Sequence, residues 1–501
     1  MPQVLLINPK ITSARSARFP LSLLALAGSL QGKYNCRIVD GNMDRDYLDA
    51  IRRTVREQRI DAAGITVMGG PQVRSAIQVS AAIREASPAT RIIWGGYFPT
   101  LYSSAAINAP YVDYLVRGQG EEVFSTLLDA LFCDESPNLE DIAGVTWKRN
   151  ETAVHNVDQA FSDRRTPAML PYDLLGNTRR YLVRTFLGQR TAAYQAALGC
   201  RFRCTFCGVA SMFRGATVLP PAARLERDLT WFKDHLGADS LQFFDHNFFD
   251  READMAPILQ VLAKVQLPWW CYARADALLN LSADSWALVR KSKLRMAYIG
   301  AESGSDLLLK NIRKGTRIDQ TLAVAELCRT HGVIPELSFM VAPPHDPEGE
   351  TERTFEFIRT VKRVNPDAEI IIYIYTPLPA ESMPLNSRSR AAADVLRDLD
   401  GNLIQFPKTP EEWTEQRWVD YSCHADAPWM TERLRRRIRN FVTVLGCRFP
   451  TVQDVRSPAW TKVTLRALAS WRYRFRRYDR PWELALSKRL VRLADPRVTS
   501  I

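Results

Sequence analysis

Residues 199–208 read GCRFRCTFCG, so Cys200, Cys204 and Cys207 fall within eight positions of one another. The other six cysteines, at 36, 133, 271, 328, 423 and 447, are scattered singly, which is no disulfide framework and predicts a reducing, cytoplasmic setting. Three soft thiolates on one loop suit three irons of a cubane cluster, and a site one ligand short leaves an iron open to bind and activate another molecule. Zinc borrowing a fourth ligand is the competing reading. The adjacent pair Cys423-His424 lies more than two hundred residues away, so zinc has no local partner. Downstream, Asp245, His246 and Asn247 make a polar knot at the end of an expected strand. Asp245 and His246 are the candidate catalytic pair, with His246 able to act as acid, base or substrate contact. A histidine satisfied within the fold is the structural alternative.

A loop of this kind needs a scaffold, and the pattern supplies an α/β one. In the first 135 residues, apolar stretches at 4–8, 36–40, 62–68, 91–96 and 114–118 alternate with helical spacing. Strands apolar throughout and separated by helices predict a parallel, doubly wound sheet, with ligands received by loops at the strands' C-terminal ends. Those loops are rich in glycine and small residues: Asp40-Gly41-Asn42, Met68-Gly69-Gly70 and Gly95-Gly96. Bare backbone suits close approach to a large flat or anionic ligand. Gly118 and Gly120 imitate part of a dinucleotide fingerprint but follow the last strand, and no dinucleotide site is expected there. Residues 136–190 read as a linker. Six more strand–helix units run from 191 to 387, with strands at 192–198, 240–245, 269–274, 296–302, 336–342 and 370–376, which predicts a partial (β/α)6 barrel open on one side. Residues 388–501 lose this regularity and read as a mainly helical extension.

Cys200-x3-Cys204-x2-Cys207, with Phe206 before the third cysteine, resembles the radical S-adenosylmethionine enzymes. FFDHNF (243–248), WCYARAD (270–276), IGAESGS (299–305), APPHDPEGET (342–351) and YTPLPAESM (375–383) resemble, in order, the later strand motifs of the subgroup with an N-terminal cobalamin domain. The resemblance implies a 4Fe–4S cluster on the three cysteines, whose open iron chelates S-adenosylmethionine for cleavage to a 5′-deoxyadenosyl radical. It places Phe206 beside the adenine, Arg274 by the carboxylate, and Glu302 and Ser303 near the ribose and amino acid. From the residues alone, Arg274 could instead pair with Asp245 or Asp276, and Glu302 could complement a helix dipole.

The loops NPK (8–10), RIVDGN (37–42), TVMGG (66–70), WGGYFPT (94–100) and VRGQGEE (116–122) resemble the cobalamin-binding domain of the same subgroup. That implies cobalamin contacts from Asn8, Asp40, Asn42, Met68, Gly69, Gly70, Gly95, Gly96, Tyr97, Phe98, Gly118 and Glu121. All six histidines lie beyond this domain, and Phe98 stands where relatives often have histidine. Cobalamin is therefore expected without a protein histidine ligand, its lower face covered by apolar groups near Tyr97, Phe98 and Leu101; a domain that has lost cobalamin is the alternative. By resemblance, the reaction is methylation of an unactivated carbon of a small molecule, with two S-adenosylmethionine molecules and a reductant such as flavodoxin or ferredoxin; a hydrophobic substrate would suit membrane contact through the C-terminal tail. Radical cyclisation or ring contraction, as in anaerobic magnesium-protoporphyrin ester cyclases, and a non-catalytic cobalamin or cluster sensor are the alternatives.

The net charge of +12 resides in the C-terminal tail: residues 431–501 hold 18 Lys and Arg against 5 Asp and Glu. Leu434, Ile438, Phe441, Val442 and Leu445 fall on one helical stripe with arginines opposite. That pattern predicts either a cap over the barrel or peripheral contact with an anionic membrane through 431–501. Nucleic acid, which arginine with aromatics can also grip, is not the expected partner.

Overall fold

The computed structural model describes residues 1–133, 138–161, 169–379, 396–455 and 457–491. The expected boundaries after 135 and 387, and residues 380–383 of the last barrel motif, lie outside the described residues.

Strands β1 (Gln3–Asn8), β2 (Asn35–Asp40), β3 (Ala62–Thr66), β4 (Arg91–Gly95) and β5 (Tyr114–Val116) pair in parallel in the order β2-β1-β3-β4-β5. Their apolar residues are buried on both faces. Leu5, Ile7, Ile65, Ile92 and Trp94 fill one core, and Val4, Leu6, Ala62, Ile93 and Val116 fill the other. The region read as linker departs from expectation. β6 (Val145–Arg149) and β7 (Thr152–His155) form a hairpin that extends this sheet antiparallel from β5. Its two-residue turn puts Asn150 and Glu151 at φ 48° and 64°, the left-handed geometry that matches strand twist in tight hairpins.

The second sheet is all parallel. β8 (Thr191–Tyr194), β11 (Ser240–Phe243), β12 (Trp269–Ala273), β13 (Leu294–Glu302), β14 (Ile334–Val341) and β15 (Glu369–Ile374) follow one another in sequence and in space, the open barrel that the pattern predicts. Between β8 and β11, a ribbon of β9 (Leu198–Gly199) and β10 (Thr217–Val218) closes the cysteine loop. One core runs from the first sheet through Phe243, Trp269 and Phe339 to Trp413, Phe441 and Leu465 of the C-terminal segment. The helix Glu432–Arg448 spends its apolar stripe as a cap: Phe441 stacks on Phe355 of the barrel helix Pro347–Val364 at 3.7 Å. Among the described residues no helix is long and apolar enough to cross a membrane.

Candidate active site

The cysteine loop leaves β9 through Gly199 at φ 82°, where a Cβ would meet the Ala216 carbonyl oxygen at 2.2 Å. Only glycine lets the loop close on itself so tightly. Arg201 pairs with Asp250 at 2.7 Å, and Thr205 N donates to Ile312 O at 3.0 Å, so both ends of the loop are tied to the barrel. Asp245 ties down the approach. Its carboxylate accepts N–H bonds from Ala196 at 3.1 Å and from Ala197, and it is fully buried. The candidate catalytic aspartate is thus a clamp beneath the loop.

Cys200, Cys204 and Cys207 are free thiols lining one cavity of about 380 Å³ with Phe206, Arg274 and Glu302. Burial pushes the Cys207 thiol up to about 12, so a lone thiolate is unfavourable there without a metal to take up its charge. Among the described residues no three His, Cys, Asp or Glu side chains converge tightly enough for a single metal ion. Three thiols around a roomy cavity fit a larger body, as a cluster is. Of the alternatives for Arg274, the structure selects Asp276: Nε and Nη2 each donate at 3.0 Å to its carboxylate, and Nη2 donates to Lys314 O. The guanidinium also lies 3.6 Å from the centre of the Phe202 ring, which fixes it beside the cysteines. Glu302, in a left-handed conformation at φ 62°, receives Lys314 Nζ at 2.7 Å within the barrel, a partner that no sequence motif announced. Ser303 is fully buried, accepts from Ser305 N at 3.0 Å and does not line the cavity. Tyr272, Tyr298, Tyr373, Cys423 and His424 also line it, and sequence spacing singled out none of them as site residues.

At the C-terminal edge of the first sheet, a second cavity of about 300 Å³ is lined by Met68, Gly95, Gly96, Tyr97, Gly118 and Glu121, together with Leu21, Ala25 and Phe124. Its bare glycine walls and apolar floor fit part of a large flat ligand. Burial raises the Glu121 carboxyl pKa above the usual range. The other expected contacts do not line it. Asn8 donates to Asp40 at 3.0 Å, and Asn42 accepts from Ile11 N and Thr12 N, so these residues shape the neighbouring loop. Gly69 and Gly70 admit the C-terminal segment: a Cβ on Gly70 would meet Cys423 Sγ at 2.7 Å. Phe98 is wholly buried against Trp94, Tyr102 and Trp413, because it occupies the inner face of the Tyr97–Leu101 helix. Tyr97 faces the cavity in its place.

His246 lines both cavities. Its Nε2 lies 3.1 Å from Tyr97 Oη, and its buried Nδ1 has no partner among the described residues. Burial holds its pKa down to about 4, so it is neutral at physiological pH. Asp245 moves the other way, pushed up to about 7 by burial. A carboxyl raised above its unfolded value of about 3.9 adds stability in full below that value and loses it as pH rises through 7. Asp245→Asn has no such titration. The stability advantage of the wild type over this variant is therefore expected to shrink by roughly 4 kcal/mol between about pH 4 and pH 7. Denaturant titrations of both proteins across that window check it, and a pH-independent difference would contradict the assignment.

Comparison with known proteins agrees with this geometry. The B12 binding domain family matches residues 11–128, and the Radical SAM superfamily matches residues 194–358, together more than half of the chain. The chain belongs to the B12-binding radical S-adenosylmethionine enzymes. The cofactors of this class are a 4Fe–4S cluster, S-adenosylmethionine and cobalamin, and the donor set and cradle above fit them. An uncharacterized methyltransferase of Pyrococcus horikoshii is 23% identical over 68% of this chain and 73% of its own length. The anaerobic magnesium-protoporphyrin IX monomethyl ester cyclase of Rubrivivax gelatinosus is 25% identical over 75% and 68%. The solved radical S-adenosylmethionine methyltransferase TsrM of Kitasatospora setae, with cobalamin and a 4Fe–4S cluster bound, shares the fold at a TM-score of 0.64. It is 17% identical, covering 98% of this chain and 100% of that one.

Proposed function

We propose that this radical S-adenosylmethionine enzyme methylates an unactivated carbon of a small, largely apolar molecule held between its two cavities. The observation that carries this reading is that His246 belongs to both cavities and meets Tyr97 across their boundary. Methyl transfer by two cofactors needs one gap that both can reach, and a shared wall one side chain thick provides it. When bound, the cluster, S-adenosylmethionine and cobalamin supply the radical and the methyl group.

The protein's own residues position and shield. Cys200, Cys204 and Cys207 would hold the cluster, and Phe206, Arg274 and Glu302 would orient S-adenosylmethionine. Met68, the glycines at 95, 96 and 118, Tyr97 and Glu121 would receive cobalamin. Phe244 in the one cavity and Tyr272, Tyr298 and Tyr373 in the other add aromatic surface that would exclude water, which suits a reactive carbon radical. The Arg18 guanidinium lies over the Phe244 ring at 4.2 Å, at the rim of this aromatic lining. A flavodoxin or ferredoxin would supply electrons.

Reconstitution with iron, sulfide and cobalamin under anaerobic conditions, then incubation with S-adenosylmethionine, a reductant and candidate substrates, tests the reading. Methylation gives a product heavier by one CH2 unit. The similarity to a cyclase favours a second reading, in which a product loses hydrogen and gains no methyl group. Failure to form 5′-deoxyadenosine on reduction would dismiss both.

A further inference from the structure

The tryptophans of the C-terminal segment divide into two sets. Trp413, Trp418 and Trp429 are at most 5% exposed, whereas Trp460, Trp471 and Trp482 are 69%, 51% and 72% exposed. Val463, Leu468, Phe475 and Leu486 are exposed as well, so seven of the thirteen exposed large apolar side chains among the described residues fall within 460–486. In the helix Ala459–Arg474, the positions Trp460, Val463, Leu468 and Trp471, with Phe475 at its C-cap, span about 140° of the circumference at 100° per residue. Leu465 and Ala469, on the other side, are buried against the rest of the protein. The helix therefore has two apolar faces, and packing uses only one. A stripe this long on a soluble surface marks an interaction site.

Charge identifies the occupant. Residues 459–491 carry nine Lys and Arg against two acids. Arg472 is taken up by Glu483, and Arg476 by Glu356. Arg466, Arg474, Arg477 and Arg480 are exposed with no carboxylate partner among the described residues. We propose that this face docks the protein on an anionic phospholipid surface, with Trp460, Trp471 and Phe475 at the headgroup boundary and the arginines on lipid phosphates. Amphipathic tryptophan and phenylalanine flanked by basic residues match that boundary chemically. A second copy of the chain matches it poorly, because a symmetric contact would set arginines against arginines. With no spanning helix among the described residues, the contact is peripheral. The cap helix Glu432–Arg448 takes no part, since its stripe is buried.

The test is co-sedimentation of the full-length protein with vesicles of phosphatidylcholine plus phosphatidylglycerol, and with pure phosphatidylcholine. Wild type is expected to sediment with the anionic vesicles and be released by salt. The triple variant Trp460→Ser/Trp471→Ser/Phe475→Ser is expected to bind them roughly a hundredfold more weakly, since three interfacial aromatics are lost. These positions are solvent-exposed, and an unchanged far-ultraviolet circular dichroism spectrum confirms that the variant folds. The second variant, Arg474→Gln/Arg477→Gln, is expected to lose the preference for anionic lipid. Equal vesicle binding by wild type and the triple variant overturns the proposal. So does an absence of vesicle binding accompanied by self-association, or by single-stranded DNA binding, that the triple variant loses.

Discussion

Cys204→Ala is expected to yield a folded protein that takes up iron and sulfide without forming the cluster. The broad visible absorbance of an iron–sulfur centre should be absent, and cleavage of S-adenosylmethionine should fall by on the order of a thousandfold or more. Cys204 is the least exposed of the three residues, at 9%, and Cys207 N donates to its carbonyl at 3.2 Å, so the two are fixed relative to one another. With three protein ligands and an open iron, losing one leaves two, too few to retain a cubane. The stability cost is small by comparison, because serine- or alanine-sized side chains fit the loop and the tethers through Arg201 and Thr205 remain. Cys423 provides the contrast. It lines the same cavity from the C-terminal segment, so it is the one other cysteine placed to serve as a fourth ligand. If the fourth iron is open, Cys423→Ala keeps the cluster absorbance and the S-adenosylmethionine cleavage. Loss of the cluster in that variant would refute the three-cysteine assignment, and so would an intact cluster in Cys204→Ala.

The features readable in the sequence are those that periodicity or spacing encodes. Strands apolar on both faces announced two parallel sheets, and the three cysteines announced their loop. What escaped depends on direction and on distant contacts. Tyr97 and Phe98 are adjacent on one short helix, and which of them faces the ligand is decided by Trp94, Tyr102 and Trp413, the last more than three hundred residues away. Asp245 sits at a strand end as a catalytic carboxylate would, yet the backbone of Ala196 and Ala197 claims both its oxygens. The 138–155 segment looked like linker because its strands are short and half polar, as befits an edge hairpin. In the tail, one amphipathic helix is a cap and the next leaves one of its two apolar faces exposed. Composition treats them alike, and only the packing of Phe441 on Phe355 separates them.

Lys314→Met is expected to destabilise the barrel by about 3–5 kcal/mol, a large fraction of the roughly 5–15 kcal/mol that holds a typical domain folded. The side chains of Lys314 and Glu302 are 8% and 9% exposed, and their 2.7 Å contact is the one ion pair either makes among the described residues. Methionine fills the space of the lysine stem but leaves the Glu302 carboxylate buried without a cation. That carboxylate cannot easily swing to water, because Glu302 ends β13 in a left-handed conformation that fixes its direction. The lysine also acts at a distance: Arg274 donates to the Lys314 carbonyl at 2.8 Å, so disorder around Lys314 loosens the guanidinium beside the cysteines. If Glu302 and Arg274 orient S-adenosylmethionine as proposed, Lys314 positions both, and S-adenosylmethionine affinity should fall along with the melting temperature. The double variant Glu302→Gln/Lys314→Met separates these effects. With no charge left to strand, it should recover roughly 2 kcal/mol of the stability lost in Lys314→Met alone. It should not recover S-adenosylmethionine binding, because the carboxylate itself is gone. Additive losses in the double variant would show that Lys314 does not neutralise Glu302, and recovered binding would remove Glu302 from the site.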